Sequence, residues 1–351
     1  MVRLAYRLSP ASGVGFHFGR EGLAQETTSE FFPSDSLFSA LVTQLAHVAP
    51  DEVDILLTEF TSANRPVPFR VSSLFPIVGD VPMLPMPRLR IEFARRSDIT
   101  SKSMKKLRYV SPTIFQALVN GQAMDAWFPK RPTEKGRGLL LFGGRVWIAS
   151  DETEMLPPPI RARPYEHAIW DVETVPRVTV DRINNASVPY QVGRTTFAPD
   201  CGLWLLADVR EEFKGLLENL LLHLADSGIG GERSAGYGGF SLHRLTTPQL
   251  PHSDNRGLSI LLSRYNPTEE EIINGVLGDG AAYELVDVGG WLASPGVPAQ
   301  RRQRIRMIES GSVLVGHNIS GHLVDVRPRY DNMRSPQHPV YRSGLALTVG
   351  V

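Results

Sequence analysis

The sequence predicts an α+β protein of two ferredoxin-like (RRM-like) folds, the first carrying a glycine-rich loop and a protruding β-hairpin insertion. Three observations carry this reading. Strand-like stretches flank two helically spaced segments. The second of those helices leads into a glycine-dense loop and then another strand. A polar, Pro-containing stretch is followed by a smaller set of strands with a helix. The expected division is 1–245, with the hairpin near 155–200 and the loop at 228–240, and 257–351.

Taken in order, Val2-Arg-Leu-Ala-Tyr-Arg-Leu8 alternates like a strand. Pro33-Ser-Asp35 starts a helix, with Ser34 or Asp35 as N-cap and Leu37, Leu41 and Leu45, with Phe38 and Val42, as its apolar stripe. Pro-punctuated extended pieces fill Arg65 to Arg90, a basic helix is expected over Lys102 to Leu118, and a loop over Lys130 to Gly138. Prolines at 157–159 and 176 mark an irregular, projecting insertion. Gly202 to Val209 reads as a strand, Glu212 to Leu224 as an amphipathic helix by its leucine spacing, and Phe240 to Arg244 as the closing strand. After a linker at Thr246 to Arg256, Leu258 to Tyr265 is strand-like. Pro267-Thr-Glu-Glu-Glu-Ile-Ile273 then opens a helix with proline and acids in its first turn, and strands continue through Val351.

Composition excludes several classes. The chain has 351 residues, 42% of them hydrophobic, which is ample for two cores. No run of about 18 apolar residues exists and Met1 to Leu8 lacks a signal-peptide core, so a cytoplasmic protein without a membrane partner is expected. A lone Cys201 rules out an internal disulfide and a cysteine-built zinc site; it is expected to be buried beside Trp204. The 37 basic and 37 acidic residues cancel, which on its face argues against nucleic acid. Their distribution argues otherwise. Arg88, Arg90, Arg95, Arg96, Lys102, Lys105, Lys106 and Arg108 cluster, as do Arg301, Arg302, Arg304 and Arg306, while acids collect at 151–154 and 269–271. Separated patches fit a chain that holds RNA on one face and a protein on another, although solvated surface accounts for the acidic runs taken alone.

Gly228-Ile-Gly-Gly-Glu-Arg-Ser-Ala-Gly-Tyr-Gly-Gly-Phe240 is the most informative stretch. Glycine permits positive φ and lets successive N–H groups face an anion, Arg233 and Ser234 add donors, and Tyr237 offers a stacking face. A plain helix C-cap and turn needs only one or two glycines. A P-loop requires Lys-Ser/Thr and a following helix, and a dinucleotide fingerprint also runs from strand to helix. Here the helix comes first and a strand follows.

These residues resemble the glycine-rich loop of the RAMP superfamily, RNA-binding proteins of CRISPR effector complexes. Phe32-Pro-Ser-Asp-Ser-Leu-Phe-Ser-Ala-Leu41, Val178-Thr-Val-Asp-Arg182, Pro189-Tyr-Gln-Val-Gly193 and His338-Pro-Val-Tyr-Arg-Ser-Gly344 extend the likeness in order along the chain. Together they are similar to the fourth subunit of the type III-A (Csm) complex; the equivalent type III-B subunit shares that fold and role. The resemblance implies a non-catalytic subunit that holds the 5′ handle of the CRISPR RNA. It also implies docking to the large polymerase- or cyclase-like subunit and to the repeated backbone RAMP subunit, with target RNA met only indirectly.

It further implies a thumb hairpin around 181–194, on which Arg182 and Arg194 contact phosphates and Tyr190 or Val192 wedges against a base. An ordinary surface hairpin remains the alternative. Handle contacts are expected at Ser34, Gly230, Gly231, Arg233, Ser234, Gly236, Tyr237 and Gly238, with His17 and Arg20 next. His17, in Gly15-Phe-His-Phe-Gly19, is also the one candidate general acid or base, the basis of a rival reading as a precursor-processing endoribonuclease. Asp35 could bind metal, yet no second carboxylate shares its face, so a helix-start role is expected; no metal, cofactor or catalytic residue is assigned. The 301–306 arginines suit either phosphates or a charged edge strand, and Tyr341 is expected to be packed with Arg342 exposed.

Overall fold

The structure, a computed structural model, describes the chain apart from residues 20–25, 63–64, 94–98, 130–135, 182, 184–186, 252–256, 295–296, 329–335, 337 and 351. The expected calls at Arg20, Arg95, Arg96 and Arg182 therefore lie outside the described residues.

One antiparallel sheet organises the N-terminal half. Its strands lie in the order Phe240–Leu245, Val2–Pro10, Cys201–Val209 and Phe75–Val78, with Phe69–Val71 continuing the last of these along the other end of Cys201–Val209. Ser72 carries the pairing across the gap, since its N–H donates to the Leu206 carbonyl and its hydroxyl accepts from the Leu206 N–H at 2.9 Å. With helices Ser34–Val48 and Lys214–Ser227 this is the ferredoxin-like order, the fourth strand beside the first and the third beside the second.

Period-two alternation splits the central strands between two cores. Leu4, Tyr6, Leu8, Leu203, Leu205 and Ala207 face the helices with Leu37, Leu41, Leu45, Leu217 and Leu221. Ala5, Trp204 and Leu206 face the other way and are covered by the insertion and by Ile260 and Leu262 of the C-terminal half. Burial on both faces is why Cys201–Val209 reads as a nearly unbroken apolar run.

The insertion between the second and third sheet strands holds a four-stranded subsheet, Leu84–Pro85, Tyr109–Val110, Val146–Ala149 and Gly138–Leu141 in that order. It also holds a long hairpin, Trp170–Val180 paired with Ser187–Phe197 along its whole length. The basic helix expected over 102–118 is instead broken. Ile99–Met104 and Pro112–Val119 are separate helices with strand Tyr109–Val110 between them. Pro112 forces Ser111 into an extended conformation, φ −72 and ψ 163, and the Ser111 hydroxyl caps the new helix by accepting from the Ile114 N–H.

The C-terminal half centres on three antiparallel strands, Val313–Val315, Leu258–Leu261 and Thr348–Gly350. Its one helix among the described residues is short, Glu269–Ile273, started by a Thr268/Glu271 capping box. Helix Ser34–Val48 of the first half packs against its strand Tyr341–Ser343. No helix among the described residues is long and apolar enough to cross a membrane.

Candidate nucleic-acid interface

The glycine-rich loop leaves helix Lys214–Ser227 at Gly228 (φ 78) and returns as strand Phe240–Leu245. Between these it lies flat on residues 15–17. The Gly231 N–H donates to the His17 carbonyl at 2.9 Å and the Gly238 N–H to the Gly15 carbonyl at 2.9 Å. A Cβ on Gly230 would sit 2.5 Å from the His17 carbonyl oxygen, and one on Gly231 would sit 2.7 Å from His17 Cδ2. Gly230 and Gly238 also hold φ of 86 and 87, so glycine is required there twice over. On the far side of residues 15–17 runs the hairpin's return strand. Phe16 and Thr195 exchange backbone hydrogen bonds of 2.8 Å, and His17 Nδ1 donates to the Gly193 carbonyl at 2.8 Å. The result is a three-layer clamp of loop, residues 15–17 and hairpin base.

This geometry sorts the expected contacts. Arg233, Ser234 and Gly236 are exposed at the loop's tip, on the short 3-10 turn Arg233–Ala235. Among the described residues the N–H groups of Glu232, Arg233 and Ser234 find no acceptor, so the tip presents backbone and side-chain donors together. Gly230, Gly231 and Gly238 instead serve the close approach to His17 and Gly15. Tyr237 is no open stacking face: it is 5% exposed, with the Arg177 guanidinium 5.2 Å above its ring. Ser34 is also withdrawn, 3% exposed, its N–H donating to Ser73 Oγ and its hydroxyl accepting from the Arg264 N–H. Nor does Ser34 or Asp35 cap its helix. Pro33 holds the cap position without a side-chain bond, because both polar side chains are drawn to the C-terminal half.

On the hairpin, Tyr190 is half-buried opposite Arg177, and Arg194 forks onto Glu173 at 2.8 and 2.5 Å while its stem covers Gly15. Val192, expected as a wedge, is fully buried because Gly193 and Thr195 beside it are pinned to the clamp. Among the described residues the exposed large apolar side chains of the hairpin are Val172 near its base and Val178, Val180, Ile183 and Val188 towards its tip. Arg342, expected to be exposed, is buried because the Asp35 carboxylate draws its guanidinium inward at 2.9 Å. Arg301 lies over the Trp291 ring and Arg306 pairs with Asp287, so the 301–306 arginines do not form one continuous strand face.

Gly15 and Gly193 are named in the sequence only as ends of longer motifs, with no role of their own. Isolated glycines carry no local signal; their role appears only when Arg194 and Glu26 close over them. Among the described residues no three His, Cys, Asp or Glu side chains converge as a metal site would require.

Residues 254–351 match the CRISPR Csm4 C-terminal domain. A CRISPR system Csm4 protein of Mycobacterium tuberculosis is 27% identical over 330 residues, covering 93% of this chain and 91% of that one. One from Methanocaldococcus jannaschii is 24% identical over 350 residues, covering 93% and 89%. The fold matches the crystal structure of a Csm3–Csm4 subcomplex of the type III-A CRISPR–Cas interference complex, with a TM-score of 0.66, 17% identity and 99% of both chains covered. It also matches a Csm1–Csm4 cassette in complex with pppApA, with a TM-score of 0.56, 18% identity and coverage of 100% and 98%. A C-terminal domain of this kind, relatives of the same name along nearly the whole length and the matching ferredoxin-like fold together support one reading: the chain is similar to Csm4, a RAMP-type subunit of type III-A CRISPR complexes.

Proposed function

We propose that within the Csm complex this chain holds the 5′ handle of the CRISPR RNA and seats it against the large polymerase-like subunit, without cutting RNA itself. The observation that carries the reading is the exposed Arg233–Gly236 tip, held rigid by the glycine clamp on residues 15–17. Free N–H groups, a guanidinium and a hydroxyl at one turn suit a backbone phosphate of single-stranded RNA, and the neighbouring hairpin supplies a wall against which bases splay. Relatives solved with Csm3 and with Csm1 support the same two partners here, the repeated backbone subunit and the large subunit. Target RNA is then met only through them.

The placement role is favoured over cleavage by the state of His17. Its ring is 8% exposed, lies under Gly231, and commits Nδ1 to a carbonyl oxygen, so it reaches no 2′-hydroxyl without opening the clamp. The test uses the chain assembled with its large subunit and two RNAs, one with the handle intact and one with it scrambled. Preference for the intact handle, with the RNA left whole in the absence of metal and the same wholeness in His17→Ala, supports the reading. Cleavage that His17→Ala abolishes overturns it in favour of a processing nuclease.

A further inference from the structure

We propose that a cavity at the base of the hairpin is a pocket for one unstacked nucleobase bearing an exocyclic amino group. This deepens the handle-binding reading and rests on it. The cavity has a volume of about 580 Å³ and lies between residues 26–30, the subsheet and the first residues of the hairpin, with Glu30, Arg108, Phe142, Arg145, Trp170 and Asp171 on its walls. That volume is in the range of small-ligand sites and admits a base with part of its sugar.

The first argument is backbone conformation. Phe142 has φ 47, a left-handed value that a bulky side chain rarely takes, and Gly143 and Gly144 continue at 64 and 85. The arrangement is fixed by the Phe142 and Gly143 N–H groups donating to the Pro164 and Tyr165 carbonyls at 2.9 and 2.6 Å. Its effect is to hold the Phe142 ring upright in the cavity wall, edge-on to Trp170 at 4.8 Å and beneath the Arg145 guanidinium at 4.5 Å. An aromatic ring so constrained and only partly covered presents a stacking surface.

The second argument is charge. Three carboxylates, Glu26, Glu30 and Asp171, outnumber the two guanidiniums on the walls, so the cavity does not suit a phosphate. Glu30 is 6% exposed, with Oε1 accepting from Arg108 at 2.5 Å and from the Tyr109 hydroxyl at 3.2 Å. Asp171 Oδ1 accepts from the Val172 N–H. The acceptor capacity that remains favours the amino group of adenine, cytosine or guanine over the carbonyl edge of uracil. Arg108 and Arg145, both exposed, are left to meet the backbone outside.

The third argument is continuity. Gly231 donates to His17, His17 donates to Gly193, and Gly193 lies so close to Glu26 that a Cβ would come within 2.6 Å of its carbonyl oxygen. Glycine loop, hairpin base and cavity wall are therefore successive layers, and a strand gripped at the loop can turn one base into the cavity.

The test is an abasic scan. Handle RNAs with a single abasic nucleotide at each position in turn are bound to the assembled complex carrying either the wild-type chain or Phe142→Gly. Glycine tolerates the positive φ, so this variant removes the ring without straining the backbone, a thermal melt checks that the fold is kept, and Arg145→Ala at an exposed position is the second variant. At one handle position the abasic change weakens wild type about tenfold and the variants by less than about twofold, and uracil there binds worse than adenine, cytosine or guanine. Abasic penalties equal in wild type and both variants at every position overturn the pocket while leaving handle binding intact. Equal binding of intact and scrambled handles overturns both readings together.

Discussion

Asp35 and Arg342 meet at 2.9 Å across the boundary between the two halves, both buried, with Arg264 reaching the other carboxylate oxygen at 3.2 Å and Glu309 closing the network at 2.9 Å. Charged groups this far from water are stable only as a set, and removing one member leaves the rest uncompensated. Asp35→Ala is expected to cost about 3–5 kcal/mol of unfolding free energy, read as a lower urea midpoint. A loss below about 1 kcal/mol would mean that water already reaches the network.

The glycines of the loop are expected to differ among themselves. Gly230→Ala adds a methyl 2.5 Å from the His17 carbonyl on top of a φ of 86, whereas Gly236→Ala has the same φ but nothing within 4 Å. Gly236→Ala should cost on the order of 1 kcal/mol, Gly230→Ala clearly more, with a matching loss of handle affinity only in the latter. Thermal melts of the two variants side by side check the order.

Much of this was legible in the sequence, and the reasons are local. Leucine spacing marked helix Lys214–Ser227, alternation marked the strands around it, and glycine density marked the loop. The expected helix over 102–118 failed because Pro112 restarts the chain, a one-residue effect that outweighed the basic, helix-favouring composition on either side. Site residues were harder for a different reason. Tyr237 looked free because nothing within the loop covers it; Arg177, sixty residues earlier, does. Likewise Ser34 and Arg342 look exposed in their own segments and are buried only because the two halves close on each other. Long-range contacts decide burial, and short-range pattern does not report them.

At the tip, Arg233→Ala and Ser234→Ala remove exposed donors and should leave the melting temperature unchanged. Handle affinity should fall, and for Arg233→Ala the slope of log affinity against log salt should shrink by about 1, the mark of one lost phosphate contact. An unchanged slope would place the arginine off the RNA backbone.

Glu271 accepts from the N–H groups of Thr268, Ser320 and Gly321. Burial works to raise its pKa, but these three backbone bonds outweigh it and hold the carboxyl below the ordinary glutamate value. A depressed folded-state pKa stabilises above the unfolded value and loses that contribution as pH falls through the folded one. Acid melts from neutral pH downward should therefore show wild type losing its advantage over Glu271→Gln. Curves parallel at every pH would assign the anchoring to shape alone.

Cys201 is buried against the sheet, and burial pushes its thiol up to about 12. It should resist thiol reagents at pH 8 in the native protein and react only on unfolding, which mass spectrometry of intact chains would read directly.

The most direct measurement is ultraviolet crosslinking of the assembled complex loaded with CRISPR RNA, with adducts located by mass spectrometry. Handle nucleotides crosslinked to peptides containing residues 231–237 and the hairpin base are the predicted result. Handle adducts confined to other subunits, with none on this chain, would contradict the assignment of the glycine-loop face to the RNA.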